Sequence, residues 1–137
     1  MIHYDRVWAE IDLDAIIKNM ESIKSRIDKN VQVVAVIKTD GYGHGAVPIA
    51  KALENECVGY AVATAWEGHN LRRHGIDKPL YILGVVPENL CDLVINEEML
   101  PPIFTYKMAK AFSDHAVKLN KTVKFNIAVD TGMSRIG

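Results

Sequence analysis

An unbroken apolar segment ends in a lysine and continues directly into a glycine-rich turn. The segment is Val33-Val34-Ala35-Val36-Ile37-Lys38, and Thr39-Asp40-Gly41-Tyr42-Gly43-His44-Gly45 follows it. Because the apolar residues are mostly β-branched and no polar residue alternates with them, the pattern predicts a parallel strand buried on both faces. Burying a lysine there as an ammonium ion is costly unless it is paired or chemically converted. Lysines that lose their charge on burial are the ones that form Schiff bases.

Strand-like and helix-like patterns alternate along the rest of the chain. Strands are predicted at residues 33–38, 60–63, 80–83, 102–104 and 123–130, and helices at 13–27, 46–54, 65–74, 87–96 and 106–120. Repeated strand–helix units predict an α/β fold with a parallel sheet, either doubly wound or closed into a barrel. A barrel of eight such units takes about 250 residues, so the chain would hold roughly half of one. Because the chain also stops just after a strand, we expect it to be the front part of a longer protein.

Composition and spacing argue against several classes of function. The formal net charge of −1 gives no electrostatic reason to expect nucleic acid or an anionic membrane surface as a partner. No apolar run approaches the roughly 20 residues of a membrane span. Cys57 and Cys91 are too far apart for a metal pair, and His69 and His74 do not share a helix face. With no secretory pattern at the N-terminus, we predict a cytoplasmic protein without a metal site.

Two cationic residues follow predicted strands, where parallel α/β folds gather their functional groups. Lys38 supplies an amine, Arg135 a guanidinium, and the glycine-rich turn precedes a helix whose N–H groups could bind phosphate. A lysine-bound pyridoxal phosphate requires these three features. Each also has a simpler explanation: a lysine that reaches solvent, a turn that needs glycine for its geometry, and a surface arginine. The pattern alone therefore leaves a Schiff-base enzyme and an ordinary α/β domain open.

Two long motifs resemble those of the alanine racemase family. Residues 35–45 are similar to the family's cofactor-lysine signature, and residues 130–137, Asp-Thr-Gly-Met-Ser-Arg-Ile-Gly, to its arginine-bearing turn. Residues 8–19 resemble its opening segment and residues 60–64 its second barrel strand. The resemblance therefore covers essentially the whole chain, and the motifs occur in the family's order.

The resemblance implies that residues 1–137 are the N-terminal portion of a (β/α)8 TIM-type barrel domain. About five parallel strands would be present, and the second half of the barrel and a C-terminal β domain would be absent. Residues 1–13 would pack with that β domain. The intact enzyme would be a homodimer that uses pyridoxal 5′-phosphate to interconvert L- and D-alanine. Its D-alanine would be a peptidoglycan precursor.

The resemblance also implies roles for three residues. Lys38 would hold the cofactor as a Schiff base and act as the base on one face of the substrate. Tyr42 would reach the cofactor phosphate, and Arg135 would bind the cofactor's phenolic oxygen and the substrate carboxylate. The opposite base would be a tyrosine of the β domain of the other subunit, so we expect the 137-residue chain alone to racemise alanine weakly or not at all. The chain departs from the family at Ser134, where many relatives have glycine, and at Ala128, where many have a lysine that holds the arginine.

Other functions remain as alternatives. Within the enzyme class these are a racemase for serine or another small amino acid, and a related barrel decarboxylase, against which the tyrosine in the glycine-rich turn argues. From a different class, the chain could be a non-catalytic cofactor-binding or assembly module. An open half barrel exposes sheet edges and apolar helix faces, so we also expect the chain to self-associate.

Overall fold

A computed structural model describes residues 7–137, in which strands and helices alternate. Residues 1–6 of the predicted N-terminal packing segment lie outside the described part. The strands are β1 (Val34–Val36), β2 (Gly59–Val62), β3 (Leu80–Ile82), β4 (Pro102–Ile103) and β5 (Asn126–Ile127). The helices are α1 (Leu13–Lys24), α3 (Ala46–Ala52), α4 (Ala65–Arg73), α5 (Cys91–Asn96) and α6 (Tyr106–Lys118), and a 3-10 helix at Glu88–Leu90 precedes α5. The short element α2 (Lys38–Tyr42) is a left-handed turn rather than a regular helix.

The strands pair in parallel and in the order of the chain. β1, β2 and β3 form one sheet, and β4 and β5 form a second. A parallel bridge between Tyr81 and Leu100 joins the two, with the Leu100 N–H donating to the Leu80 carbonyl over 2.8 Å. Doubly wound sheets reverse their strand order, whereas barrels keep it. The uninterrupted order β1 to β5 therefore confirms a partial barrel and removes the doubly wound alternative.

The hydrophobic core lies between the strands and the helices that cover them. Tyr60, Leu71, Leu80 and Ile82 are almost completely buried there. β2 is buried throughout, but in β1 only Ala35 is buried and Val36 is 42% exposed. The prediction that the first strand is buried on both faces is therefore wrong. Its opposite face is open because, within residues 7–137, no element covers it.

α1, α4 and α6 each begin after a residue whose side chain accepts a hydrogen bond from a free backbone N–H group. Asp12 Oδ1 accepts from the Ala15 N–H over 3.0 Å at the start of α1. Thr105 Oγ1 accepts from the Met108 N–H over 3.2 Å at the start of α6. Such caps typically contribute about 1 kcal/mol, and they explain why helix starts agree with the sequence pattern better than helix ends do.

Within residues 7–137, no helix combines the length and the apolar character needed to cross a membrane. In that same part of the chain, no three His, Cys, Asp or Glu side chains cluster closely enough to hold a metal ion. Cys57 and Cys91 are both free thiols in the protein interior.

We expect the free energy of unfolding to fall as the pH rises above about 9. Cys91 is 1% exposed, and burial raises the pKa of its thiol to about 11 from an ordinary value of 9.0. The unfolded chain loses this proton first, so the stabilisation is complete below about pH 9 and is lost between about 9 and 11. The loss is roughly 2 kcal/mol, measurable by urea unfolding across that pH range.

The Cys91→Ala variant provides the control. It is less stable at neutral pH because it leaves a small cavity, but its stability declines less between about pH 9 and about pH 11. Burial also raises the pKa of Tyr60, so a further decline above about pH 10 remains in both proteins. Equal pH slopes in the variant and the parent would contradict the assignment to Cys91.

Candidate active site

Lys38 lies at the carboxyl end of β1. The Ile37 N–H donates to the Ala61 carbonyl over 2.9 Å, and Lys38 then begins α2. Its side chain is half-buried, and Nζ lies 5.9 Å from the centroid of the Tyr42 ring, within cation–π range. Among residues 7–137, Lys38 Nζ makes no hydrogen bond and no ion pair. By contrast, the half-buried Lys78 Nζ donates to the Cys57 carbonyl. The structure therefore brings the two predicted site residues Lys38 and Tyr42 together and leaves the amine available.

The turn after Lys38 is left-handed. Thr39, Asp40, Gly41 and Tyr42 have φ values of 54°, 51°, 63° and 56°. Only Gly41 adopts this conformation without steric cost, and each of the other three residues costs about 1–2 kcal/mol. Strain of this kind persists only where the surroundings fix it, and it concentrates at functional sites. The sequence predicts a turn here but not that non-glycine residues carry the left-handed backbone.

The side chain of Asp40 caps the start of the following helix, α3. Its Oδ1 accepts from the Ala46 N–H over 2.8 Å, and Pro48 has no N–H. Two of the first three positions of α3 therefore cannot donate to a ligand, so this helix start is a poorer phosphate cradle than the sequence predicts. Asp40 was missed by sequence reasoning because it lies six residues before its partner, outside the usual capping position.

Glu67 connects the lysine turn to the end of the neighbouring strand. Its Oε1 accepts from the Thr39 N–H over 3.0 Å, and its Oε2 accepts from the Ala63 N–H over 2.7 Å. The Glu67 N–H in turn donates to Thr64 Oγ1 over 3.2 Å, which completes a capping box at the start of α4. The Thr-x-x-Glu spacing could have indicated the cap, but the bond to Thr39 spans 28 residues and needs the fold.

Arg135 is exposed in the turn that follows β5. Lys38 directly follows β1, whereas Arg135 lies in the segment beyond the carboxyl end of β5. No hydrogen bond or ion pair joins Arg135 to Lys38 or Tyr42 in the described residues. Ala128 continues the pairing with β4, its N–H donating to the Ile103 carbonyl over 3.0 Å, and its methyl group cannot hold a guanidinium.

The arginine turn is organised by the carboxylate of Asp130. Oδ1 accepts from the Gly132 N–H over 2.9 Å and from the Ser134 N–H over 2.8 Å, and these bonds lower the pKa of Asp130. Ser134 has a φ of 54°, the left-handed conformation that favours glycine. Having serine in place of glycine at position 134 therefore strains the backbone next to Arg135.

Replacing Asp130 with Ala should loosen the turn that carries Arg135. The Ser134 and Gly132 amides lose their acceptor, so we expect them to exchange with solvent several-fold faster, as measured by NMR. Because the pKa of Asp130 is lowered, the ionised carboxylate holds the turn at neutral pH and releases it only as the pH falls through that lowered value. Unchanged exchange at Ser134 in the variant would contradict this role.

Five parallel strands in chain order define part of an α/β barrel, and the lysine at the carboxyl end of the first strand marks a candidate site. The chain belongs to the family described as alanine racemase, N-terminal domain, which it matches over residues 11–137. The resemblance of the two motifs is thereby confirmed over most of the chain.

Relatives and solved structures agree with this assignment. An alanine racemase of Clostridium tetani is 46% identical over 136 residues, which cover 98% of this chain and 35% of the relative. An alanine racemase of Bacillus anthracis with bound L-Ala-P superposes with a TM-score of 0.88 at 38% identity, covering 100% of this chain and 36% of that one. The Clostridium difficile 630 alanine racemase in complex with cycloserine superposes with a TM-score of 0.88 at 34% identity, covering 90% of this chain and 33% of the neighbour. The chain spans about a third of the length of the curated relatives it matches.

Proposed function

We propose that this chain is the lysine-bearing, N-terminal part of a pyridoxal-phosphate-dependent alanine racemase whose whole protein interconverts L- and D-alanine. Curated relatives of that name at 46% identity support the reaction. The observation that carries the proposal is Lys38, a half-buried amine without an oxygen partner among residues 7–137. It lies at a strand end in a turn with a strained backbone, which is typical of a reactive group rather than of a surface lysine.

The chemistry of these side chains fits the cofactor. Pyridoxal phosphate, when bound, supplies an aldehyde for an amine and a conjugated ring that accepts the electron pair left by loss of an α-proton. Lys38 offers the amine, beside a strand face that is open at Val36. Tyr42, 59% exposed, offers a phenol that can donate to a phosphate oxygen. Arg135, exposed in the turn after β5, offers a cation for a carboxylate or a phenolic oxygen.

In this proposal, Lys38 is the base on one face of the substrate. As a free amine, Nζ accepts the α-proton on that face and holds it as an ammonium beside the Tyr42 ring. Inversion needs a second proton donor on the opposite face, and the family resemblance assigns it to a tyrosine of a partner subunit in a homodimer. We therefore propose that the 137-residue chain exchanges protons without efficient racemisation.

The proposal is tested by borohydride reduction of the protein with pyridoxal phosphate, followed by peptide mass mapping. We expect one phosphopyridoxyl group on Lys38. Labelling scattered over exposed lysines, or none at all, would contradict the proposal. A separate sample of the protein with pyridoxal phosphate, not treated with borohydride, is incubated with alanine in deuterated water, and failure to exchange the α-proton would favour a non-catalytic cofactor-binding module.

We also propose that the chain self-associates through its uncovered sheet face. Ile127, on β5, is 73% exposed, and Val129, two residues further along the chain, is 71% exposed. Burying such a patch is favourable, so the average mass in sedimentation velocity should rise with protein concentration. Ile127→Lys should lower that mass, whereas Val117→Lys, at an equally exposed position of α6, should not. A monomer at all concentrations would contradict this proposal.

A further inference from the structure

Glu67 makes more contacts than its role at a helix start requires. In an ordinary capping box, the glutamate reaches back only to the cap residue. Here Oε2 accepts from the Ala63 N–H and, at 3.4 Å, from the Thr64 N–H. The other oxygen, Oε1, accepts from the Thr39 N–H, which belongs to a different strand–helix unit. The carboxylate therefore joins the ends of β1 and β2.

The bond to Thr39 acts on the backbone of the reactive lysine. The Thr39 N–H and the Lys38 carbonyl belong to one peptide group, so Glu67 fixes the orientation of the peptide that follows Lys38. Thr39 is also the first left-handed residue of the turn and is β-branched, which makes that backbone unfavourable. A charge-assisted hydrogen bond at this point holds the turn against its preferred conformations.

We propose that Glu67 is a positioning residue for Lys38: by binding the Thr39 N–H, it holds the left-handed turn that directs the lysine amine toward the open strand face. The inference rests on the proposed function, in which Lys38 reacts with pyridoxal phosphate. Glu67 touches neither substrate nor cofactor in this role, and it acts only through the backbone.

The simpler explanation is that Glu67 only caps α4, and a matched variant separates the two. Thr64→Ala removes the hydrogen bond between the Thr64 hydroxyl and the Glu67 N–H, so it weakens the same helix start. It leaves the Thr39 bond in place. Glu67→Ala removes the side-chain bonds to the Thr39, Ala63 and Thr64 N–H groups but keeps the backbone N–H that donates to the Thr64 hydroxyl. Glu67→Gln keeps the shape but places an amide nitrogen near N–H donors.

Two measurements test the inference. Without cofactor, amide exchange of the turn is followed by NMR, and we expect the Thr39 amide to exchange about tenfold faster in Glu67→Ala but not in Thr64→Ala. With pyridoxal phosphate and borohydride, we expect about tenfold less adduct on Lys38 in Glu67→Ala, and parent-like labelling in Thr64→Ala. Adding Thr39→Gly to Glu67→Ala should restore labelling, since glycine adopts the left-handed backbone without steric cost.

The outcomes that overturn the inference are distinct from failure of the proposed function. Equal labelling and equal Thr39 exchange in Glu67→Ala and Thr64→Ala would show that Glu67 only caps the helix. Slow Thr39 exchange in Glu67→Ala would likewise show that the turn holds without the carboxylate. A parent protein that is not labelled at Lys38 contradicts the proposed function, and the exchange measurement still decides whether Glu67 holds the turn.

Discussion

Replacing Lys38 with Arg should reduce the borohydride-stable phosphopyridoxyl label at this position to background. A guanidinium does not form a Schiff base under these conditions, and it stays protonated where an amine can act as a base. The substitution keeps a cation close to the Tyr42 ring, so it removes the reactivity of the site while largely keeping its charge. Peptide mass mapping of the reduced protein measures the loss directly.

Lys110→Arg is the matched control for this substitution. Lys110 lies on the exposed side of α6, where it pairs with Asp114, and the proposed site does not include it. The label on Lys38 should be unchanged in this variant. Both substitutions should alter the free energy of unfolding by less than about 0.5 kcal/mol, as expected away from the core. Undiminished total labelling of Lys38→Arg would mean that another lysine carries the cofactor.

The order of the elements could be predicted from the sequence, because local signals determine where helices begin. Asp12 precedes the first apolar helical stripe and caps α1 as its side-chain chemistry requires. Strand lengths were less predictable. Residues 123–130 have the composition of a strand, but β5 spans only Asn126–Ile127, with one further hydrogen bond from the Ala128 N–H. A strand's ladder depends on its neighbour, and β4 offers two residues.

The part of the site whose residues are close together in the sequence could be predicted. Lys38 and Tyr42 are four residues apart in one turn, and the structure places them together. Glu67 and Asp40 contribute hydrogen bonds that fix this turn, and neither was predicted. Their partners are set by how α3 and α4 pack on the strands, which no local pattern encodes. The same holds for the exposure of Val36, which depends on what covers the strand.

Replacing Leu71 with Ala should lower the free energy of unfolding by about 2–5 kcal/mol. Leu71 is completely buried on α4, which packs against β2, β3 and α5. The substitution removes apolar surface from the core and leaves a cavity that these surrounding elements can only partly fill. Since a domain of this size is stable by about 5–15 kcal/mol, the loss is a large fraction of the total, and urea unfolding would measure it.

Leu71→Met separates the effect of volume from that of position, because it keeps the size of the side chain and should cost less than about 1.5 kcal/mol. α4 also carries Glu67, so a helix destabilised at Leu71 should open more often and release the Thr39 N–H with it. We therefore expect amide exchange at Thr39 to accelerate in Leu71→Ala and to stay near the parent rate in Leu71→Met. A parent-like Thr39 exchange rate in Leu71→Ala would show that the lysine turn is stable independently of the helix packed beside it.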